Sequence, residues 1–212
     1  MKIYNVDNGV TVILASQSMV KLELLHRIGA ECRLHPVSLP WDPLPKEKPS
    51  FYAQRRARDK VQCVANQLKE QPICATSRVL AMGSRCVGPM NSPSEVRSWL
   101  AKLSGRSHRL YTALALRLPS GAYWTRICET RVTLCAMDEG EQDVLSQAWS
   151  WHVNPVYDPN GVMGPLIRSI HCTSAGCFEG VPLGPTYRLL KSHGLITCSG
   201  YQDPDITKRR FE

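Results

Sequence analysis

Val12–Gly29 reads VILASQSMVKLELLHRIG. The apolar run Val12-Ile13-Leu14-Ala15 is the length of a short buried strand and enters a polar turn, Ser16-Gln17-Ser18. Val20, Leu24 and Ile28 then recur at helical spacing, joined by Leu25. Ser18 is placed to cap that helix and Gly29 to stop it. A strand feeding a turn and then a helix N-terminus gathers backbone N–H groups and the positive end of a helix dipole, which is an anion site. The same pattern also describes an ordinary strand–turn–helix of an α/β domain, and no Gly-rich phosphate loop decides between the two.

At 212 residues and 43% hydrophobic content the chain fits one domain with a proper core, expected over residues 1–200, with a polar tail over 201–212. The net charge of +8 favours anionic partners: nucleotide, RNA or an acidic protein surface. No apolar run has the roughly 18 residues a membrane helix needs, so no membrane association is expected. Met1–Asn8 shows neither a signal-peptide core nor an Arg/Ser-rich transit pattern, which leaves cytoplasm and mitochondrion both open. Nine cysteines at irregular spacing, with no C-x-x-C, read as reduced thiols filling small apolar spaces rather than as a zinc site.

Further along, Glu31–Leu39 reads as a strand, and the Pro-dense segment from Ser38 to Pro49 as a loop. Ser50–Lys69 is expected to be a helix with Ala53, Ala57, Val61, Val64 and Leu68 inward. Its basic residues are either a solvated face or, at Arg55 and Lys60, groups turned toward a phosphate cleft. Ile73–Val87 reads as a hairpin broken at Gly83-Ser84. Ser92–Gly105 is the best-specified helix: Ser92 caps it, Pro93 opens it, Glu95 completes a capping box, and Val96, Trp99, Leu100 and Leu103 face inward. Two strands follow, Arg109–Leu118 and Ala122–Leu134. A capped helix over Asp138–Trp151 has Val144, Leu145 and Ala148 inward. Ile167–Ile170 reads as a strand, and Gly180-Val181-Pro182-Leu183 leads into a last helix.

Several of these stretches together resemble the Maf family of nucleoside-triphosphate pyrophosphatases. The opening Leu14-Ala15-Ser16, Ser18, Leu24-Leu25 and Gly29 match its first motif. Tyr52, Arg55, Ala57 and Lys60 match its helix pattern. Leu103-Ser104-Gly105-Arg106-Ser107-His108, then Tyr111-Thr112, match its signature corner, and Glu129-Thr130 and Gly180–Leu183 match later segments. The likeness covers Val12 to Gly194. It implies an α/β fold of the Maf/ITPase-like kind, with an elongated mixed sheet flanked by helices and two lobes around a central cleft.

The same resemblance implies a phosphate site at Ser16, Ser18, Lys21, Arg55 and Lys60, with Glu129 as a residual acid. It also exposes departures. Met19-Val20-Lys21 replaces a Pro-Arg-Arg triplet. Ser77, followed by Arg78, stands where the family's catalytic aspartate belongs. Gly88-Pro89-Met90 replaces Gly-Lys-Pro, and His152–Gly164 lacks the family's acidic residue, lysine and glycine pair. Serine is neither a base near neutral pH nor a carboxylate for Mg²⁺.

The expectation drawn from these departures is a non-catalytic Maf-like protein with residual nucleotide binding. It would act as a binding or scaffold component of a larger assembly, such as a ribosome or its assembly intermediate, through protein or rRNA contacts. No cofactor is then expected. The alternative is an active nucleoside-triphosphate pyrophosphatase releasing monophosphate and diphosphate, with Mg²⁺ entering only in that case.

Overall fold

A computed structural model describes residues 10–148 and 163–196. The expectations for Met1–Asn8, for the loop from His152 to Val162 and for the C-terminal tail lie outside those residues. β1 (Val12–Ala15) is buried throughout, as a continuous apolar run requires at the centre of a parallel sheet. It pairs in parallel with β2 (Cys32–His35) on one side and with β3 (Ile73–Met82) on the other. The remaining strands are antiparallel: β4 (Arg85–Val87) folds back on β3. β5 (Ser107–Arg117), β6 (Tyr123–Leu134) and β7 (Ile167–Cys172) continue the sheet in the order β2-β1-β3-β5-β6-β7. β2 is shorter than the sequence pattern suggests because Pro36 has no N–H to continue the ladder.

Alternation along β3 and β5 assigns their side chains to two faces. One face carries Ile73, Ala75, Val79, Ala113 and Ala115 and is covered by α2 (Pro49–Ala65) through Ala53, Ala57, Val61 and Val64. α2 ends earlier than expected, at Asn66, beyond which Leu68 is only partly buried. The other face is covered at one end by α1 (Met19–Arg27) and α5 (Leu183–Ser192), packed on Val12, Leu14, Cys74, Leu114 and Leu116. At its other end lie α3 (Pro93–Leu103) and α4 (Glu139–Ala148), with Leu80, Leu110, Val132 and Leu134 beneath. Between these two clusters that face is polar: Thr76, Arg78 and Thr112 occupy it, and the Thr112 hydroxyl donates to the Cys177 carbonyl at 2.8 Å. The mixed α/β architecture expected from the sequence is thus present.

Two helices sit differently from their sequence pattern. In α1 Leu25 is buried and Leu22, Leu24 and Ile28 pack partly on the core, whereas Val20 is turned out and 52% exposed. In α4 Gln142, Leu145 and Ser146 face α3, which leaves Val144 69% exposed. α3 matches its expected stripe: Val96, Trp99, Leu100 and Leu103 are all buried. Ser92 Oγ accepts from the Glu95 N–H at 3.2 Å, while the Glu95 carboxylate accepts from Asn91 N–H rather than from Ser92. Leu100 is fully enclosed by this layer, so Leu100→Ala should cost about 2–5 kcal/mol, read as a lower urea midpoint at unchanged slope. The cysteines are not uniformly fillers: Cys74, Cys128 and Cys177 are buried, whereas Cys63 and Cys172 are exposed.

Candidate active site

β1 stops at Ala15, but β3 runs on. Its β1-facing edge pairs with β1 at Ile73 and Cys74 and with β4 only from Leu80. Among the described strands none pairs with residues 75–79 on this side, and Ser77 stands at the middle of the opening. The carboxyl ends of parallel strands are where open α/β sheets place ligands. The Ser16–Ser18 turn closes one end of the window. Ser16 Oγ accepts from the Ser18 N–H at 3.1 Å and Ser18 Oγ from the Lys21 N–H at 3.4 Å, capping α1. Both hydroxyl protons remain available to an acceptor.

Three cations reach this window from both faces of the sheet. Lys60 comes from α2, its Nζ 3.5 Å from the Thr76 carbonyl. Arg78 points to the opposite face and donates to the Phe178 carbonyl. Lys21 enters from the first turn of α1 and packs on Gly180. That glycine has φ +97°, and a Cβ there would lie 3.0 Å from Lys21 Cε.

The charges bearing on the Lys21 ammonium are Lys60 and Arg78. Burial first, and then those two cations, hold its pKa well below the usual lysine value. Burial, with Arg56 adding to it, pushes Lys60 down to about 8. Nearby, the fully buried Thr76 hydroxyl has no hydrogen-bond partner among the described groups. Converging like charges and a hydroxyl without a described partner are a setting that attracts an anion.

Other residues singled out in the sequence are engaged elsewhere. Arg55 is turned away from the window; its Nε and Nη2 each donate to Glu47 at 2.8 Å, and it reaches the Asp42 carbonyl. Glu129 pairs with Arg109 at 2.8 Å and lies two strands from Val79, roughly 10 Å at normal sheet spacing. His108 is buried, and burial pushes its pKa down to about 4, so it is the neutral imidazole near pH 7. Gly88 lies tightly under Trp41, where a Cβ would fall 2.7 Å from the indole Nε1, and Met90 is buried in the apolar cluster beneath α3. A cavity of about 430 Å³ bordered by Val10, Pro72 and Leu118 lies at the opposite end of β1 and touches none of these cations.

The site is thus a group of cations gathered at the end of the first parallel strand of an α/β sheet. The family model for Maf-like proteins matches residues 11–193, and the chain belongs to the Maf family. It is 30% identical over 198 residues to a dTTP/UTP pyrophosphatase of Agrobacterium fabrum, covering 90% of this chain and 95% of that protein. It is 32% identical over 189 residues to a dTTP/UTP pyrophosphatase of Caulobacter vibrioides, covering 88% and 97%. A solved dITP/XTP pyrophosphatase from Mycobacterium abscessus superposes with TM-score 0.43 at 16% identity, over 59% of this chain and 74% of that one. These relatives correct the expectation of a non-catalytic scaffold component in a ribosome-like assembly. They match along nearly their whole length and are named as enzymes.

The resemblance also implies a divalent ion. Mg²⁺ takes oxygen donors, carboxylates above all. The window offers the Ser77 and Thr76 hydroxyls among three cations, and among the described residues no cluster of three His, Cys, Asp or Glu is arranged to hold a metal. This donor set does not fit the ion.

Proposed function

We infer that this chain is a nucleoside-triphosphate pyrophosphatase, hydrolysing a triphosphate to the nucleoside monophosphate and diphosphate. The observation that carries the reading is the convergence of Lys21, Lys60 and Arg78 on the open edge of β3. The names of the relatives point to dTTP and UTP as the substrates.

Cleavage of a phosphoanhydride depends chiefly on positioning and on stabilising charge as the leaving diphosphate forms. The three cations supply that charge, and the hydroxyls of Ser16, Ser18 and Thr76 donate to phosphate oxygens. Ser77 supplies no base near neutral pH. The site therefore works by holding the phosphate chain and stabilising the departing diphosphate, while water attacks and the bond to the diphosphate breaks. The test is diphosphate release from dTTP and UTP, with ATP and GTP for comparison. Turnover of the pyrimidine triphosphates is expected. Failure of all four to be hydrolysed or to raise the melting temperature refutes the reading.

Binding should also move protons. A bound polyanion raises the pKa of Lys60 above its free value of about 8. Below pH 8 Lys60 is charged whether or not ligand is bound. Above it, binding takes up a proton, and affinity falls by at most about tenfold per pH unit for each such group. Lys21 adds in the same sense. Calorimetry at pH 9 in buffers of different ionisation enthalpy should show uptake of protons; none would show that Lys60 does not meet the phosphates.

A further inference from the structure

We propose that Cys128 and Cys177 form a redox switch: a peroxide joins them in a disulfide, and the bond pulls the 173–182 turn away from its seat at the phosphate site. The bond itself is independent of the proposed activity; its consequence rests on the phosphate-site reading. On β6, Cys128 stands opposite Thr112 of β5, and Thr130, two residues on and on the same face, stands opposite Cys172 of β7. The Thr112 hydroxyl donates to the Cys177 carbonyl at 2.8 Å, which lays the turn after β7 over that row. The Cys177 thiol donates to the Cys128 sulfur. Cys172 meets Thr130 instead, its Sγ 3.3 Å from the hydroxyl oxygen. Cys32 and Cys74 also share a hydrogen bond, yet they lie on β2 and β3 with β1 between them. Two strand spacings, roughly 10 Å, exceed the ~7 Å between Cα atoms that a disulfide spans. Cys177 sits in a turn, so only the turn has to move.

Cys128 is the sulfur that reacts first. The hydrogen bond from Cys177 outweighs burial, and Thr173 and Arg188 add to it, so the pKa of Cys128 lies below the usual thiol value and the thiolate is favoured. Cys128 also keeps 7% of its surface exposed, whereas Cys177 keeps none. The thiolate attacks one oxygen of hydrogen peroxide and the O–O bond breaks. Hydroxide leaves and takes up the proton that the thiol gave to solvent, forming water and a sulfenic acid. The Cys177 sulfur then attacks the sulfenic sulfur, and the hydroxyl departs with the Cys177 proton as a second water. Two electrons pass from the thiol pair to the peroxide, and a dithiol reductant returns them by exchange. Closing the sulfurs from hydrogen-bond distance to about 2.0 Å draws Cys177 toward β6. The turn has little slack: a Cβ on Gly176 would lie 2.7 Å from Leu183 Cγ, and one on Gly180 3.0 Å from Lys21 Cε. The Phe178 carbonyl, which accepts from Arg78, and Gly180, against which Lys21 packs, therefore move with it. A shift on the order of 1 Å costs such a site up to about 100-fold.

The experiment treats the full chain with hydrogen peroxide or with dithiothreitol, alkylates the remaining thiols and maps linked peptides by mass. Each form is then titrated with inorganic tripolyphosphate. A Cys128–Cys177 link is expected, with binding roughly tenfold or more weaker in the oxidised protein and restored by dithiothreitol. Cys172→Ser should behave as the parent does, which separates the effect from oxidation of that exposed thiol. Cys128→Ser should keep its affinity through the peroxide treatment. No link, a link between other cysteines, or unchanged affinity in the linked protein overturns the switch and leaves the pyrophosphatase reading in place. A link that forms in a chain unable to bind tripolyphosphate even when reduced overturns both.

Discussion

Lys21→Met is expected to make the free protein more stable and the ligand-bound protein harder to form. The side chain is confined by Gly180, and its charge sits beside Lys60 and Arg78. Replacing a buried amine flanked by two cations with an apolar chain of similar length relieves burial of charge and mutual repulsion together. A gain of about 1–3 kcal/mol is expected, a rise in melting temperature of roughly 2–10 °C for a domain of this size. The same change removes a charge-assisted bond to phosphate, worth about 1.5–3 kcal/mol, and should weaken triphosphate binding roughly 10- to 150-fold. Thermal melts with and without UTP read both effects in one experiment: the free curve moves up and the ligand-induced shift shrinks. A variant that melts lower, or that keeps the full ligand shift, would show that Lys21 is a structural lysine and not part of the cradle. The opposed signs are the mark of a site held at a cost in stability for its function.

The second large effect is expected from Ser77→Asp. The position is central to the stretch of β3 edge that no described strand covers, and the cations around it would pair with a new carboxylate, so the variant should fold. With Mg²⁺ present the aspartate supplies an ion ligand and a group to orient water. Turnover should rise by about 10²–10⁴-fold, the range general acid–base assistance provides. In EDTA the same carboxylate repels the phosphates, and affinity should fall below that of the parent chain. Steady-state kinetics at fixed UTP with Mg²⁺ or EDTA separate these outcomes. If Mg²⁺ leaves the turnover of Ser77→Asp no higher than that of the parent, position 77 does not face the reacting phosphate.

Much of the architecture was legible because the decisive signals are local. Pro93 after Ser92, with Glu95 three positions beyond the cap, specifies α3 without help from the rest of the chain. The β3–β4 hairpin follows from an apolar run interrupted at Gly83-Ser84. The motif residues Lys21 and Lys60 were visible for the same reason. The meaning of Arg78 was not. In the sequence it is only a cation beside a missing aspartate. Its orientation, away from Ser77 and onto the Phe178 carbonyl, depends on strand alternation and on a contact 100 residues distant.

The window itself is equally non-local, since it exists because β1 ends and β4 begins at different heights on one edge of β3. Arg55 misled for a simpler reason: Glu47 lies eight residues before it, in a loop whose course the sequence does not give, and captures it in a two-pronged ion pair. Val20 and Val144 show the limit of periodicity, because which stripe of a short helix turns inward is decided by its neighbours. The functional reading was led astray by weighing absent chemistry above retained architecture, and the full-length match to enzymes reverses that weight.

The early end of β1 has a mechanical consequence. Because Lys60 hangs from α2 on one face of the sheet and Lys21 from α1 on the other, with Arg78 on β3 between them, the spacing between the charges is fixed by the thickness of the whole sandwich. Trimming a buried side chain on either side, Val61 on the inner face of α2 or Leu190 on that of α5, would let the jaws drift apart. Substrate grip should then slacken well before the molecule melts, so that remote packing defects register first as lost capture.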